Sequence, residues 1–287
     1  MLKGLIKTAR PHQWVKNLFV VAPLVFAKGL SDVEMVGRSI AAFFCFSFAA
    51  SAIYLLNDVA DVEADRVHPV KRNRPIASGV VPVRAARMAM AGLALTALVG
   101  GAFLGPLVAA CLGGYLLLNV AYTYKLKQVP YVDVLCIATG FELRVLCGTF
   151  ALDLPPTIYL LIVTFLLSSF LGFGKRMHEL SMSSGTKSRA VLKSYNARTL
   201  TVLLQLTALA TTGTYVVYTL DPAVREFFGT DYLAATIVFT EFGVIRFMDL
   251  VKAGNSESPT EQMLKDWPFL LNLALWAVAV VLVIYVT

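Results

Sequence analysis

Residues 88–124 read MAMAGLALTALVGGAFLGPLVAACLGGYLLLNVAYTY, 37 positions without one Asp, Glu, Lys or Arg. About 20 apolar residues in a helix cross the hydrocarbon core of a bilayer, so this stretch is too long for one crossing and long enough for two. Gly100, Gly101, Gly105 and Pro106 lie near its middle and mark a helical hairpin. The rest of the chain repeats the pattern. Uncharged runs cover 39–56, 154–174, 199–220 and 267–287, and weaker apolar segments lie at about 15–27, 132–152 and 232–248. With 57% hydrophobic and 15% charged residues and a mean hydropathy of +0.71, the chain is excluded from the water-soluble globular class. The reading is an all-α polytopic membrane protein with nine transmembrane helices, the first short, in a single transmembrane catalytic domain over 1–287. Strand-like alternation is missing, which argues against a barrel.

Charge sets the orientation. Of the 25 Lys and Arg, 21 fall in the loops that alternate to one side, only Lys28, Arg38 and Arg225 fall on the other, and Arg144 lies inside a span. The positive-inside rule places the N-terminus and the rich loops in the cytoplasm and the C-terminus outside, in the cell inner (plasma) membrane. The net charge of +7 then reflects topology and anionic ligands, and no soluble basic domain supports nucleic-acid binding. Cys45, Cys111, Cys136 and Cys147 all lie in apolar spans without paired spacing and read as small buried hydrophobes. The basic, apolar N-terminus has the look of a signal peptide, but Pro23 and Lys28 interrupt it and the topology works with the segment retained.

Chemistry concentrates where the second span ends. Asn57-Asp58-Val59-Ala60-Asp61-Val62-Glu63-Ala64-Asp65 is followed by Lys71-Arg72-Asn73-Arg74-Pro75-Ile76. On one continuous helix Asp58, Asp61 and Asp65 stand at i, i+3 and i+7, with Asn57 four residues before Asp61, so all four share a face. Mg2+ takes oxygen ligands and bridges one or two carboxylates to substrate phosphates, while Lys71, Arg72 and Arg74 neutralise the remaining phosphate charge. The bland alternative is a solvated loop between spans. The regular spacing and the adjacent cations favour the metal–diphosphate reading, with Asp58, Asp61 and Asp65 as metal ligands and Asp58, Asp61, Lys71 and Arg74 as the catalytic set.

A second polar element, Gly174-Lys175-Arg176-Met177-His178-Glu179, stands at the end of another span. It reads either as an anchor with a Lys175–Glu179 helical pair or as a further phosphate-binding rim. Arg144 sits in an otherwise apolar span, at a cost of about 2.5 kcal/mol or more unless it faces a polar interior, so it requires a partner. Glu142, Asp133, a cavity or a ligand phosphate are the options, and Glu241 with Arg246 reads as a structural pair. Tyr122 and Lys127 add a hydroxyl and an ammonium on the cytosolic face. Arg10, His12, Trp14, Lys16 and Asn17 form a basic, aromatic segment that suits an anionic headgroup or interfacial anchoring.

With these residues in view the chain resembles the UbiA superfamily of intramembrane prenyltransferases. The resemblance runs over nearly the whole length: the nine-helix pattern, NDxxDxxxD at 57–65, KRxRPI at 71–76, YxxxxK at 122–127, and Arg144 with Gly148. It implies a helical bundle with a lipid-open central cavity capped by two polar cytosolic loops. At the second motif, where that family has an aspartate-rich DxxxD, this chain has the cationic GKRMHE. Together with Arg10-Pro11-His12-Gln13-Trp14-Val15-Lys16-Asn17, this resembles the branch in which 5-phosphoribosyl diphosphate is the donor and a polyprenyl (decaprenyl-type) phosphate the acceptor, toward lipid-linked arabinose for the cell envelope. The resemblance implies Mg2+ as cofactor. It makes Lys16, Asn17, Asn57, Tyr122, Lys127, Arg144, Lys175, Arg176 and Glu179 the substrate-binding residues, with membrane lipids around the tail. A homo-oligomer is compatible with the sequence. The nearer rival is a conventional prenyltransferase acting on an aromatic acceptor; the more distant is an ion-coupled transporter, against which stands the position of the aspartates at a membrane face.

Overall fold

The computed structural model describes residues 1–182, 194–253 and 258–286. Lys187, Arg189 and Lys193, counted above in the second cytosolic loop, and Thr287 lie outside them. The described chain forms two compact units, the first of Met1–Lys127 with Gly140–Pro156 and the second of Gln128–Thr139 with the chain from Thr157 onward.

The first unit begins with α1 (Leu2–Ala9), a 3-10 segment (Pro11–Val20) and the short α2 (Ala22–Phe26), and continues with α3 (Val33–Ala60), α4 (Val62–Arg66), α5 (Val83–Leu104) and α6 (Pro106–Tyr124). Asp32 caps α3, its carboxylate accepting from the backbone N–H of Glu34 at 2.9 Å and Met35 at 3.1 Å. At about 1.5 Å per residue the 28 residues of α3 run about 42 Å, longer than the roughly 30 Å apolar core. That excess carries Asn57 and Asp58 beyond the apolar part of the helix. Ala42, Ser47, Ala49, Ala50 and Ser51 are buried along α3, small residues that let neighbouring helices approach closely. Around them pack Phe46, Ala97, Val108, Leu112, Tyr115 and Cys147. The hairpin expected within 88–124 is present. α5 ends at Leu104, Gly105 turns the chain at φ +145°, a value that L side chains rarely adopt, and Pro106 opens α6 where its missing N–H has no helical partner to lose.

The second unit holds the first two turns of α7 (Val132–Ala151), whose remainder belongs to the first unit, then α8 (Ile158–Met182), α9 (Ala197–Leu220), α10 (Pro222–Phe228), α11 (Ile237–Lys252), α12 (Pro259–Met263) and α13 (Trp267–Tyr285). Its core gathers Val134, Phe170, Phe173, Leu200, Leu204, Val244 and Phe247. Gly172 and Gly174 carry α8 past Val134 and Phe247, where an added methyl would sit 2.7 Å and 2.5 Å from those side chains.

Seven of these helices, α3, α5, α6, α7, α8, α9 and α13, are long and apolar enough to cross a membrane, so the chain is a multi-pass membrane protein of all-α class. The count of nine is not reached by continuous helices among the described residues. The segment expected to cross at 15–27 is broken between the 3-10 run and the five-residue α2, where Pro23 in the first turn of α2 has no backbone N–H to carry the preceding helix on. The segment expected at 232–248 is a 3-10 turn (Tyr232–Thr236) followed by the 16-residue α11.

Candidate active site

The aspartate motif straddles a break. α3 ends at Ala60, Asp61 takes φ −94° and ψ 7°, and α4 restarts at Val62. The continuous helix assumed above would set Asp58, Asp61 and Asp65 on one face; the break separates them. Asp58 and Asp65 stay together, 3% and 2% exposed, and share one nitrogen of Arg74: its Nη1 donates to Asp58 Oδ1 at 3.1 Å and to Asp65 Oδ2 at 2.7 Å. Asp61 turns instead to Lys127, whose Nζ lies 3.1 Å from Asp61 Oδ1. Thr123 Oγ1 lies 2.6 Å from Asn57 Oδ1.

Arg10 completes the cluster. Its Nη2 donates to Asp58 Oδ1 at 2.8 Å and its guanidinium lies over the Tyr54 ring, 5.1 Å from the centroid. Its backbone sits in the left-handed region at φ 53°, unusual for a residue with a Cβ, at the junction of α1 with the 3-10 segment. The sequence shows Arg10 only as part of a basic, aromatic segment; the pairing spans 48 positions and leaves no local signal. Lys71 lies in the 3-10 turn before Arg74 (Lys71–Asn73), and its ammonium makes no ion pair among the described residues. Tyr122, half-buried near the end of α6, likewise keeps its hydroxyl without a partner among the described residues.

Arg144 is buried at 6% exposure and satisfied by neutral groups. Nε donates to Asn17 Oδ1 at 2.9 Å, Nη1 to the Gly140 carbonyl at 2.7 Å and Nη2 to the Tyr115 hydroxyl at 3.3 Å. Phe46, Tyr115 and Phe141 surround its guanidinium, with ring centroids 4.9, 5.0 and 4.9 Å from Cζ. Its partner is therefore Asn17, itself buried and donating to Ser47 at 3.0 Å; neither Glu142 nor Asp133 pairs with it among the described residues. Lys16 next to Asn17 is exposed. Gly148, one turn beyond Arg144, lies against the backbone of Val20, where an added Cβ would stand 1.9 Å from the carbonyl oxygen. No side chain fits there.

In the second unit, Arg176 is 1% exposed and held between two carboxylates, with Nε 2.7 Å from Asp133 Oδ2 and Nη1 on Glu179. Glu179 thus pairs with Arg176 three residues before it. Tyr195 donates to Asp133, and its oxygen accepts the Tyr131 N–H at 2.8 Å. Burial and the bond to Asp133 push the Tyr195 hydroxyl well above the ordinary phenol value, so it remains a donor at neutral pH. Lys175 is half-buried beside this network. Arg246 pairs with Asp266, at 3.0 and 2.7 Å, and not with Glu241.

Hard oxygen donors gathered around cations suit a divalent metal that also carries phosphate. The fit shows in the guanidinium nitrogen lodged between Asp58 and Asp65: a positive charge already occupies the point both carboxylates address. Among the described residues no three His, Cys, Asp or Glu side chains close into a metal cage.

Residues 18–274 match the UbiA prenyltransferase family. The chain belongs to that family. Two full-length relatives are named decaprenyl-phosphate phosphoribosyltransferase. The one from Mycobacterium tuberculosis is 34% identical over 284 residues, covering 98% of this chain and 94% of the relative. The one from Corynebacterium glutamicum is 34% identical over 291 residues, covering 99% and 87%. In fold the chain is similar to a UbiA homolog from Archaeoglobus fulgidus, solved bound to DMAPP and Mg2+, with a TM-score of 0.71 at 16% identity over 99% of each chain.

Proposed function

We propose that this protein transfers 5-phosphoribose from 5-phosphoribosyl diphosphate to a polyprenyl phosphate of decaprenyl type, releasing diphosphate. The reading is carried by the two full-length relatives named decaprenyl-phosphate phosphoribosyltransferase. The cationic GKRMHE element, where the family resemblance calls for a second aspartate motif, supports it. Asp58, Asp61 and Asp65, with Asn57, would hold Mg2+, which when bound supplies charge neutralisation for the diphosphate. Lys71 and Arg74 supply positive charge to the departing diphosphate as the C1–oxygen bond breaks, and Lys127 and Tyr122 serve the same group. An oxygen of the acceptor phosphate forms the new bond to C1. A phosphate monoester is ionised at neutral pH, so none of these side chains has to act as a strong base. We assign Lys175 to a substrate phosphate, and Arg176 with Glu179 to holding the turn that carries it. Arg144 and Asn17, with Lys16 beside them, serve the acceptor side.

The enzyme would lie in the cell inner membrane with its N-terminus and polar loops cytoplasmic. Nine crossings remain consistent with element lengths. At about 2.0 Å per 3-10 residue and 1.5 Å per α residue, Pro11–Phe26 and Tyr232–Lys252 each have contour enough for an approximately 30 Å core. Reporter fusions near Arg66 and at the C-terminus test this; a cytoplasmic C-terminus overturns the count. The activity is tested by Mg2+-dependent release of diphosphate from the ribosyl donor. Release only when polyprenyl phosphate is present supports the reading, and none under any acceptor overturns it.

A further inference from the structure

A hydroxyl at the end of α6 decides which end of the Asn57 amide faces the aspartate motif. Thr123 is 3% exposed. Its Oγ1 lies 2.7 Å from the Asn119 carbonyl, one turn back on the same helix, and 2.6 Å from the Asn57 carboxamide atom placed as Oδ1, so both contacts as drawn would draw on the one Thr123 proton. A hydroxyl has one proton. A threonine inside a helix gives it to the i−4 carbonyl, which cannot donate in return. The second contact is a hydrogen bond only if Asn57 supplies the proton, which only its Nδ2 does. The two ends of a carboxamide have nearly the same shape, so the proton count assigns them. With nitrogen toward Thr123, Oδ1 faces away from Thr123, on the helix face that Asn57 shares with Asp61 at i+4.

We propose that Thr123 is a positioning residue that accepts from Asn57 and so presents Asn57 Oδ1 as a hard oxygen to the Mg2+–diphosphate. The proposal rests on the reading of the aspartate motif as a Mg2+–diphosphate site. It adds a residue outside that motif that fixes the motif's one uncharged ligand, as outer-shell partners orient ligands elsewhere. Thr123→Val keeps the side-chain shape and removes the hydroxyl; Thr123→Ser keeps the hydroxyl.

The test uses the full-length detergent-purified protein, with thermal unfolding followed as Mg2+ is titrated at fixed inorganic diphosphate, together with the KM for the ribosyl donor. Thr123→Val is expected to need about 10-fold more Mg2+ for half of the diphosphate-dependent stabilisation, the lower end of the outer-shell range, and to raise the donor KM. Thr123→Ser should stay within about twofold of wild type. Asn57→Leu should reproduce the shift, and adding Thr123→Val to it should change nothing further, because both remove one interaction. A lowered unfolding temperature with an unchanged Mg2+ midpoint in Thr123→Val, or an equal shift in Thr123→Ser, overturns the proposal. Inorganic diphosphate is common to the rival enzyme readings, so an incorrect ribosyl donor leaves this arm intact. Absence of any Mg2+–diphosphate stabilisation in wild type overturns the underlying site reading itself.

Discussion

Replacing Arg74 by alanine isolates the electrostatics of the aspartate cluster from its chemistry. Arg74 is the partner common to Asp58 and Asp65. Asp58 keeps Arg10 in the variant. The Asp65 carboxylate, 2% exposed, has no other hydrogen-bond or ion-pair partner among the described residues. Removing one member of a buried pair costs about 3–5 kcal/mol. Arg74 is itself 30% exposed, so water replaces part of the lost interaction and about 2–3 kcal/mol remains. At about 2 °C per kcal/mol for a chain of this size, the unfolding temperature should fall by about 4–6 °C. Arg74→Ala combined with Asp65→Asn should recover most of the stability. Arg74→Ala within about 1 °C of wild type, below the loss expected for a buried pair, or a further loss on adding Asp65→Asn, would refute the argument.

Asp58→Asn and Asp61→Asn are each expected to abolish turnover in a folded protein, since loss of a metal-bound charge costs several kcal/mol and each 1.36 kcal/mol is tenfold in rate; full activity in EDTA would remove the metal. Gly148→Ala should cost near the upper end of the roughly 1–3 kcal/mol range for overpacking, because the new Cβ meets the Val20 backbone at 1.9 Å, and thermal unfolding reads it. Lys175→Ala should raise the KM for the ribosyl donor by about 30-fold or more, from the roughly 2 kcal/mol lower bound for truncating a desolvated charge pair; an unchanged KM removes Lys175 from phosphate binding.

The parts that sequence reading recovers are those written by neighbours. The hairpin at Gly105 and Pro106 was legible because turn residues interrupt an uncharged run at one place. The acidic motif and the KRNRPI cations were legible because the chain returns Arg74 to Asp58 and Asp65 within 16 positions. The break at Asp61 was not. A spacing of i, i+3, i+7 reports which residues share a face only while the helix continues, and Lys127, 66 positions on, holds Asp61 elsewhere. Arg144 announced that it needed a partner without saying which, because Asn17 lies 127 positions away and is neutral. Asp133 gave no sign of its role, since Tyr195 and Arg176 reach it only once α8 has folded back. The first segment, read as a span from its hydropathy, breaks beside Pro23, whose missing donor outweighs the apolar run around it.

The central claim is the identity of the transferred group, and it is tested most directly by incubating the purified protein with Mg2+ and ribosyl-labelled 5-phosphoribosyl diphosphate plus polyprenyl phosphate, then extracting the lipid phase. Label in a phosphate-linked polyprenyl product, with one diphosphate released per transfer, is the expected result. No labelled lipid, together with turnover of a polyprenyl diphosphate onto an aromatic acid, would contradict it and make the protein a conventional prenyltransferase.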